Sequence, residues 1–333
     1  MLEGQPVLVT GGAGYIGSHV CKALAAAGAR SVVFDDLSTG HRDAVRWGPL
    51  VRGDVRDRVA VAAALKRHEI SYVLHFAGKA YVSESMQDPA KYYDNNVGGM
   101  IGLLAGCAEA GVGHVVFSSS CATYGLPERL PITEDTPQHP INPYGRTKLI
   151  CEQMLRDHGS AHGLHHVSLR YFNAAGADPE GEIGERHDPE THLIPLALMA
   201  ASGQGPALKV FGTDYPTPDG TCVRDYIHVS DLARAHVRAI EHLMAGGESL
   251  ALNLGSGRGL SVREITAAIE AATGRAVPVE DAPRRPGDPP ELMADAGLAA
   301  RLWGFRTERS DIADIVRDAA PWFAQGGGDG DRF

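Results

Sequence analysis

The chain has 333 residues, 44% of them hydrophobic, enough to bury one large core or two modest ones. A formal net charge of −10 excludes a general nucleic-acid footprint and leaves room only for a local basic pocket, suited to a phosphorylated small molecule. The five cysteines (Cys21, Cys107, Cys121, Cys151, Cys222) are widely spaced and lack a C-x-x-C, which argues against a disulfide frame or structural zinc site and for reduced thiols.

Val7, Leu8 and Val9 open the chain as an apolar run, which predicts a strand buried on both faces. Gly11, Gly12, Gly14 and Gly17 follow at once, and Ser18–Ala27 reads as a helix ending near Gly28. Glycines at this spacing let the backbone turn tightly and approach a pyrophosphate, which the free N–H groups of the helix N-terminus would hold. Ser31–Phe34 reads as a second strand ending in Asp35, at an interval that suits a ribose-binding carboxylate. Asp35 and Asp36 would repel a 2′-phosphate, favouring NAD over NADP. Leu50–Gly53, Tyr72–Ala77, Val115–Ser119 and His166–Tyr171 read as further strands. Between them, Val59–His68, Ala90–Ala110 and Tyr144–His158 have helical patterning.

Strands alternating with helices mean βαβ units with right-handed crossovers. The predicted fold class is therefore α/β, a Rossmann-type doubly wound parallel sheet. Ligands of such sheets sit beyond the carboxyl ends of the strands, where Asp35, Asp54, Ala77–Gly78 and Ser118–Ser120 fall. After Phe172 the texture changes. Asn173–Asp188 reads as loop, followed by a helix (Leu193–Ala201), a strand (Leu208–Phe211) and a Pro/Thr/Gly-rich stretch (Tyr215–Gly220). A helix (Ser230–Met244), a strand (Leu250–Leu254) and a helix opened by a Ser261/Glu264 capping box (Ser261–Thr273) complete the pattern. The expected organisation is an NAD-binding domain over 1–177 and a smaller C-terminal α/β substrate domain over 178–325, with part of 225–262 packing back on the first. Residues 326–333 read as a disordered tail. The first strand begins too early to leave room for a leader peptide, and no apolar run reaches membrane-span length, so a cytoplasmic protein is expected.

Tyr144-Gly-Arg-Thr-Lys148 carries the chemistry. At i and i+4 on one helix, a phenol and an ammonium share a face. A free tyrosine, with a pKa of about 10, is a poor base at neutral pH. A nearby lysine and an oxidised nicotinamide would both favour phenolate.

With these elements in order, the chain resembles the sugar-nucleotide-modifying, extended branch of the short-chain dehydrogenase/reductase superfamily, and within it the UDP-glucose 4-epimerase family. The resemblance runs from T-G-G-A-G-Y-I-G-S-H (10–19) to R-R-P-G-D (284–288). It includes S-S-S-C-A-T-Y-G (118–125), N-P-Y-G-R-T-K (142–148), R-Y-F-N (170–173), H-L-I-P (192–195) and V-R-D-Y-I-H-V (223–229). It implies NAD-dependent interconversion of UDP-glucose and UDP-galactose through a 4-keto sugar. Hydride would leave C4 and return to the opposite face after the sugar rotates. Tyr144 would be the acid and base on the 4-hydroxyl, Lys148 its tuner and a ribose ligand, and Ser120 a hydrogen-bond partner of the 4-oxygen. Gly11, Gly14, Tyr15, Ile16, Gly17, Asp35, Asp36, Asp54, Val55, Phe76, Ala77, Asn96, Ser118 and Tyr171, with Tyr144 and Lys148, would line the cofactor site. Asn173, His192, Leu193, Phe211, Arg224, Tyr226, Arg285 and Asp288 would hold the UDP, with arginines on the diphosphate. A homodimer is implied as well.

Some positions depart from the pattern or compete with it. Dehydratases of the same branch carry an Asp-Glu pair where Cys121 and Ala122 stand, so elimination lacks its carboxylates. Leu292 falls where one epimerase subgroup has a bulky Tyr, which leaves room for N-acetylated sugars. His192 stands where some relatives have Asn. His158, His162, His165 and His166 cluster in sequence, but Gly159 and Gly163 interrupt a helix there and no carboxylate completes a set, so no metal is expected. Glu84 and Ser85 read equally as crevice residues or plain loop. The alternatives left open are a UDP-pentose or UDP-uronate 4-epimerase, a nucleotide-sugar dehydratase or decarboxylase, and a non-catalytic NAD(H)-sensing protein.

Overall fold

A computed structural model describes residues 2–285 and 288–324; the expected tail over 326–333 lies outside the described residues. Strand β1 (Pro6–Thr10) leads to α1 (Tyr15–Ala26), β2 (Arg30–Asp35), β3 (Leu50–Arg52), α2 (Arg58–Arg67) and β4 (Tyr72–His75). Helices α3 (Val82–Gln87) and α4 (Pro89–Tyr92) pass through a wide π turn (Tyr93–Val97) into α5 (Gly98–Ala110). Then come β5 (His114–Ser118), α6 (Pro143–His162), β6 (His165–Tyr171), β7 (Asn173–Ala175), α7 (Leu193–Ser202), β8 (Leu208–Phe211) and β9 (Val223–His228). The rest is α8 (Val229–Met244), β10 (Leu250–Leu254), β11 (Gly259–Ser261), α9 (Val262–Thr273), β12 (Val279–Ala282), β13 (Glu291–Leu292), α10 (Gly297–Trp303) and α11 (Ile312–Ala324).

Two compact units emerge. One comprises Met1–Leu126, Glu134–Tyr171 and Leu232–Asn253. Its seven-stranded parallel sheet has the order β10-β6-β5-β4-β1-β2-β3. The apolar runs that read as doubly buried strands are so: Val7, Leu8, Val9, Val73 and Leu74 are fully enclosed. On one face α2 and α5 pack Val61, Leu65, Met100, Leu103, Leu104 and Cys107 against Leu8, Phe34 and Val115.

The other unit comprises Pro127–Thr133, Phe172–Asp231 and Leu254–Phe333. Here β9 is central, paired with β11, β13 and β7, while β8 pairs with β12. Ile194 and Leu198 of α7, Ile265 and Ile269 of α9, and Ile315 and Phe323 of α11 share its core. The expected Ser261/Glu264 capping box is present at the start of α9, with both reciprocal hydrogen bonds.

Three local readings need correction. Asn173–Ala175, read as loop, is strand β7, in parallel register with Tyr226–His228. Backbone pairing across the sheet makes it a strand, and no local apolar pattern could show it. Helix α6 does not break at Gly159; it runs to His162 and stops at Gly163, whose φ of +70° is the left-handed conformation that glycine tolerates. The stretch around Glu84 and Ser85 is helical, as α3, with Ser85 fully buried. Among the described residues, no helix is long and apolar enough to cross a membrane.

Candidate active site

In the first unit, the strand tips supply one set of residues. Gly11 sits in the left-handed region (φ +71°), and a Cβ there would meet the Ala77 backbone nitrogen at 2.6 Å. A Cβ on Gly17 would meet the Gly11 carbonyl oxygen at 2.2 Å, so α1 packs against the turn as only glycine allows. Gly14 is the N-cap of α1, with no side-chain cap and no acidic residue in the first turn. Tyr15 and Ile16 follow on the first turn of α1, leaving the helix N-terminus suited to an anion. The Asp35 carboxylate accepts from the Ala13 amide (3.0 Å) and the Leu37 amide (2.8 Å), tying the glycine turn to the end of β2. Burial raises its pKa against those two hydrogen bonds. Asp36 accepts from the Ser38 amide (2.8 Å).

Other predicted cofactor residues are engaged within the unit. Asp54 faces the Arg56 guanidinium (3.0 and 3.1 Å) and accepts the Arg56 amide (2.9 Å), which holds its carboxyl below the usual range. Asn96 clamps Lys79, accepting from its amide (2.8 Å) and donating to its carbonyl (3.1 Å), and donates to Thr147 Oγ1 (3.0 Å). Val55 is buried beside α5, Phe76 packs on the His236 ring (4.7 Å), and the Phe76 and Ala77 amides both donate to the Thr10 carbonyl.

Ser120, Tyr144 and Lys148 are 7%, 8% and 6% exposed. Asn142 caps α6 through the Gly145 amide (2.8 Å) and Pro143 opens it, fixing the start of the helix one residue before Tyr144. Four residues on, Lys148 Nζ donates to the Ser118 carbonyl (2.7 Å) and lies over the Phe117 and Tyr144 rings (4.9 and 5.8 Å). Ser118 Oγ meets the Tyr171 hydroxyl at 2.5 Å. Burial pulls the Lys148 pKa down to about 8, against Cys151 and Glu152. Burial, with Tyr171 beside it, pushes the Tyr144 phenol well above its usual value, and a Ser120 hydrogen bond opposes the rise.

In the second unit, Asn173 on β7 stands in register with Tyr226 on β9. Arg224 pairs with Asp288 and with the Val223 carbonyl (2.7 Å), and the Arg285 guanidinium lies 3.9 Å over the Phe211 ring. Tyr226 and Tyr215 both feel the Asp288 charge, and Cys222 feels Arg285, so these groups form one charged neighbourhood. His192 stands at the N-cap position of α7, without a side-chain capping bond, and Leu193 opens the helix. Its Nδ1 lies 2.8 Å from Glu185 and 2.9 Å from Glu190. Burial lowers the two imidazoles here, but the facing carboxylates override it, raising His187 to about 9 and His192 to about 10.

The model of the NAD dependent epimerase/dehydratase family matches residues 7–255. The chain belongs to this family. It is 54% identical over 324 residues to the UDP-glucose 4-epimerase of Rhizobium meliloti, covering 97% of this chain and 98% of the relative. The solved UDP-glucose 4-epimerase of Brucella ovis, in complex with NAD, is 59% identical, with a TM-score of 0.94 over 96% of this chain and 98% of that one. The UDP-Glc/GlcNAc 4-epimerase of Campylobacter jejuni is 40% identical, with a TM-score of 0.84 over 97% of this chain and 100% of that one. The family resemblance carried by the glycine turn and the Tyr144/Lys148 helix is thereby established.

A buried network behind α6 has no counterpart among the expected site residues. Glu152, eight residues after Tyr144 and fully enclosed, accepts both arms of Arg170 (2.9 and 2.7 Å), Ser119 Oγ (2.6 Å) and Gln138 Nε2 (3.2 Å). Arg170 also donates to the Tyr124 hydroxyl (2.9 Å), which donates to Asn253 (2.7 Å). Burial alone would raise the Glu152 carboxyl, and the Arg170 fork overrides it. Its sequence signal was the extension of Tyr-x-x-x-Lys to a further glutamate four residues on, and the Arg that opens R-Y-F-N.

Proposed function

We propose that this chain is an NAD-dependent UDP-sugar 4-epimerase that interconverts UDP-glucose and UDP-galactose, a cytoplasmic homodimer. The observation that carries the reading is the dry grouping of Ser120, Tyr144 and Lys148 on one strand tip and one helix face. Full-length likeness to epimerases supports it, as does Cys121-Ala122 in place of a dehydratase's carboxylates. The residues fit the cofactor: an added Cβ at Gly11 or Gly17 would collide with neighbouring backbone, so only glycine keeps the turn this tight, and the uncapped α1 terminus is suited to a pyrophosphate. Asp35 and Asp36 favour the unphosphorylated ribose. We assign the first unit to NAD, with Gly14, Tyr15, Ile16, Asp54, Val55, Phe76, Ala77, Asn96, Ser118 and Tyr171 around it. The second holds UDP through Asn173, His192, Leu193, Phe211, Arg224, Tyr226, Arg285 and Asp288.

When bound, NAD supplies the hydride acceptor and donor and, oxidised, a positive charge. The chain supplies the proton handling. Tyr144 takes the 4-hydroxyl proton and returns it to the 4-oxygen once the sugar has presented its other face, Ser120 holds that oxygen, and Lys148 fixes the ammonium beside the phenol. The five free thiols suit a reducing compartment. Exposed Met86 on α3 and Ile101 on α5 offer apolar surface to a second copy.

The test incubates purified protein with UDP-glucose and, separately, UDP-galactose without added cofactor, beside Tyr144→Phe. Interconversion that falls about 10²- to 10⁴-fold in the variant, the usual contribution of a positioned acid–base group, is expected. No interconversion even with NAD supplied rejects the reading. Leu292, on β13 in register with Arg224, favours a second reading in which N-acetylated sugars are also turned over. Undetectable turnover of UDP-GlcNAc rejects it.

A further inference from the structure

The segment Glu185-Arg-His-Asp-Pro-Glu-Thr-His192, leading into α7, gathers four titratable side chains that the epimerase chemistry does not account for together. Glu185, His187, Glu190 and His192 each turn one ligand-type atom inward, and these atoms all lie within 4.8 Å of one another. We propose that they form a binding site for a single divalent cation of the zinc class, which staples this segment to the start of α7.

The two imidazoles face the two carboxylates at close range. The imidazole nitrogen of His187 lies 3.2 Å from Glu185 and 3.5 Å from Glu190; that of His192 lies 2.8 Å and 2.9 Å from the same two carboxylates. Zinc bonds of about 2.0–2.1 Å to nitrogen and oxygen imply ligand–ligand edges of about 3.3–3.4 Å, and the four nitrogen–oxygen separations bracket that value, with Glu190 facing His187 through Oε2 and His192 through Oε1. The two rings stand 5.1 Å apart, each presenting Nδ1. Two imidazoles and two carboxylates form a donor set for zinc. Magnesium and calcium prefer six or more oxygens.

Charge and burial agree with this assignment. The Glu185 and Glu190 side chains are only 2% and 7% exposed, and a dication neutralises two buried carboxylates at once. Glu190 is oriented by the Thr191 and His192 amides, which donate to its Oε1 (2.7 and 2.8 Å), an outer-shell support of the kind metal ligands receive. His192 is the most open of the four, at 44% exposed, and leaves the ion a way in. The site shares His192 with the proposed UDP contacts, and Glu185, His187 and Glu190 have no part in the epimerase reading.

The same four atoms could instead be held together by protons, and metal binding separates the two cases. The full chain, stripped with chelator and desalted, is titrated with zinc chloride by calorimetry, and retained metal is counted by mass spectrometry. One zinc per chain is expected. His187→Ala and Glu190→Gln are each expected to weaken binding at least tenfold and to lose the zinc-dependent rise in melting temperature. Wild-type protein that retains no zinc, or folded variants that bind it equally well, overturn the proposal. Cobalt(II) in the wild-type chain needs no variant: the strong visible absorption of a tetrahedral site without a thiolate band supports it. A weak octahedral spectrum, or a thiolate band, overturns it.

Discussion

The two units carry their site residues in opposite ways. In the first, Tyr144, Lys148 and Ser118 are almost wholly enclosed, and their neighbours are tied through Thr147, Asn96, Glu152 and Arg170. In the second, Arg285 is exposed, Arg224, Phe211 and Asp288 are half-buried, and the elements that carry them are short strands and connections. Proton transfer needs a dry, fixed geometry, where a dipole or charge acts at full strength. Capturing a diphosphate needs guanidinium groups that are available to it. The contrast therefore predicts that substitutions in the first unit disturb folding and chemistry together, whereas those in the second mainly disturb affinity.

The largest expected effect tests the enclosed side. Arg170→Leu leaves Glu152 buried without its fork, and breaking such a pair typically costs about 3–5 kcal/mol. Urea unfolding should show that loss in the midpoint with little change in slope. A loss below about 1 kcal/mol, the worth of an exposed pair, would mean that the network contributes little to holding α6.

Much of this contrast was legible in the sequence, for physical reasons that differ by region. The first unit is built of runs whose local pattern already states their burial: Val7–Val9, Ser31–Phe34 and Val115–Ser118 are strands in the structure. The glycine turn and Tyr144/Lys148 were legible because backbone approach and the i,i+4 face each dictate residue type. Strands such as β7 and β13, three and two residues long, exist through pairing with β9 and have no pattern of their own. Glu152 and Arg170 stand beside legible motifs, but their pairing joins two elements and leaves no local trace of its own. The His187/His192 cluster lies on irregular backbone before α7, where no helical or strand period shows which side chains converge. His158, His162, His165 and His166 lie on α6 and β6, and the described residues gather none of them into a ligand set.

A pH experiment sharpens the enclosed side. Lys148 titrates near 8 in the folded chain, below the value of about 10.4 expected when unfolded. Between those values the unfolded chain binds more protons, so this residue's contribution to stability rises with pH from about 8 to about 10.4. Below pH 8 the cost of burying the ammonium is constant. Lys148→Met removes that rising contribution, while the buried thiols and phenols titrate in both proteins. The wild-type minus variant difference in unfolding free energy should therefore climb across this window. A flat difference would show that the Ser118 carbonyl and the aromatic rings solvate the ammonium as well as water does.

The smallest effect tests the open side. Arg285 is exposed and rests on the Phe211 ring, so truncating it leaves no buried charge unpaired and removes little core. Arg285→Ala should leave the melting temperature unchanged and raise KM for UDP-glucose about tenfold, equivalent to about 1.4 kcal/mol, with kcat nearly intact. Removal of uniform binding gives that pattern, because the diphosphate carries the same charge in substrate and transition state. If kcat fell instead and KM held, Arg285 would be acting on the reacting end of the sugar nucleotide. The division between a unit that sets chemistry and a unit that sets affinity would then fail at the residue where it is most exposed.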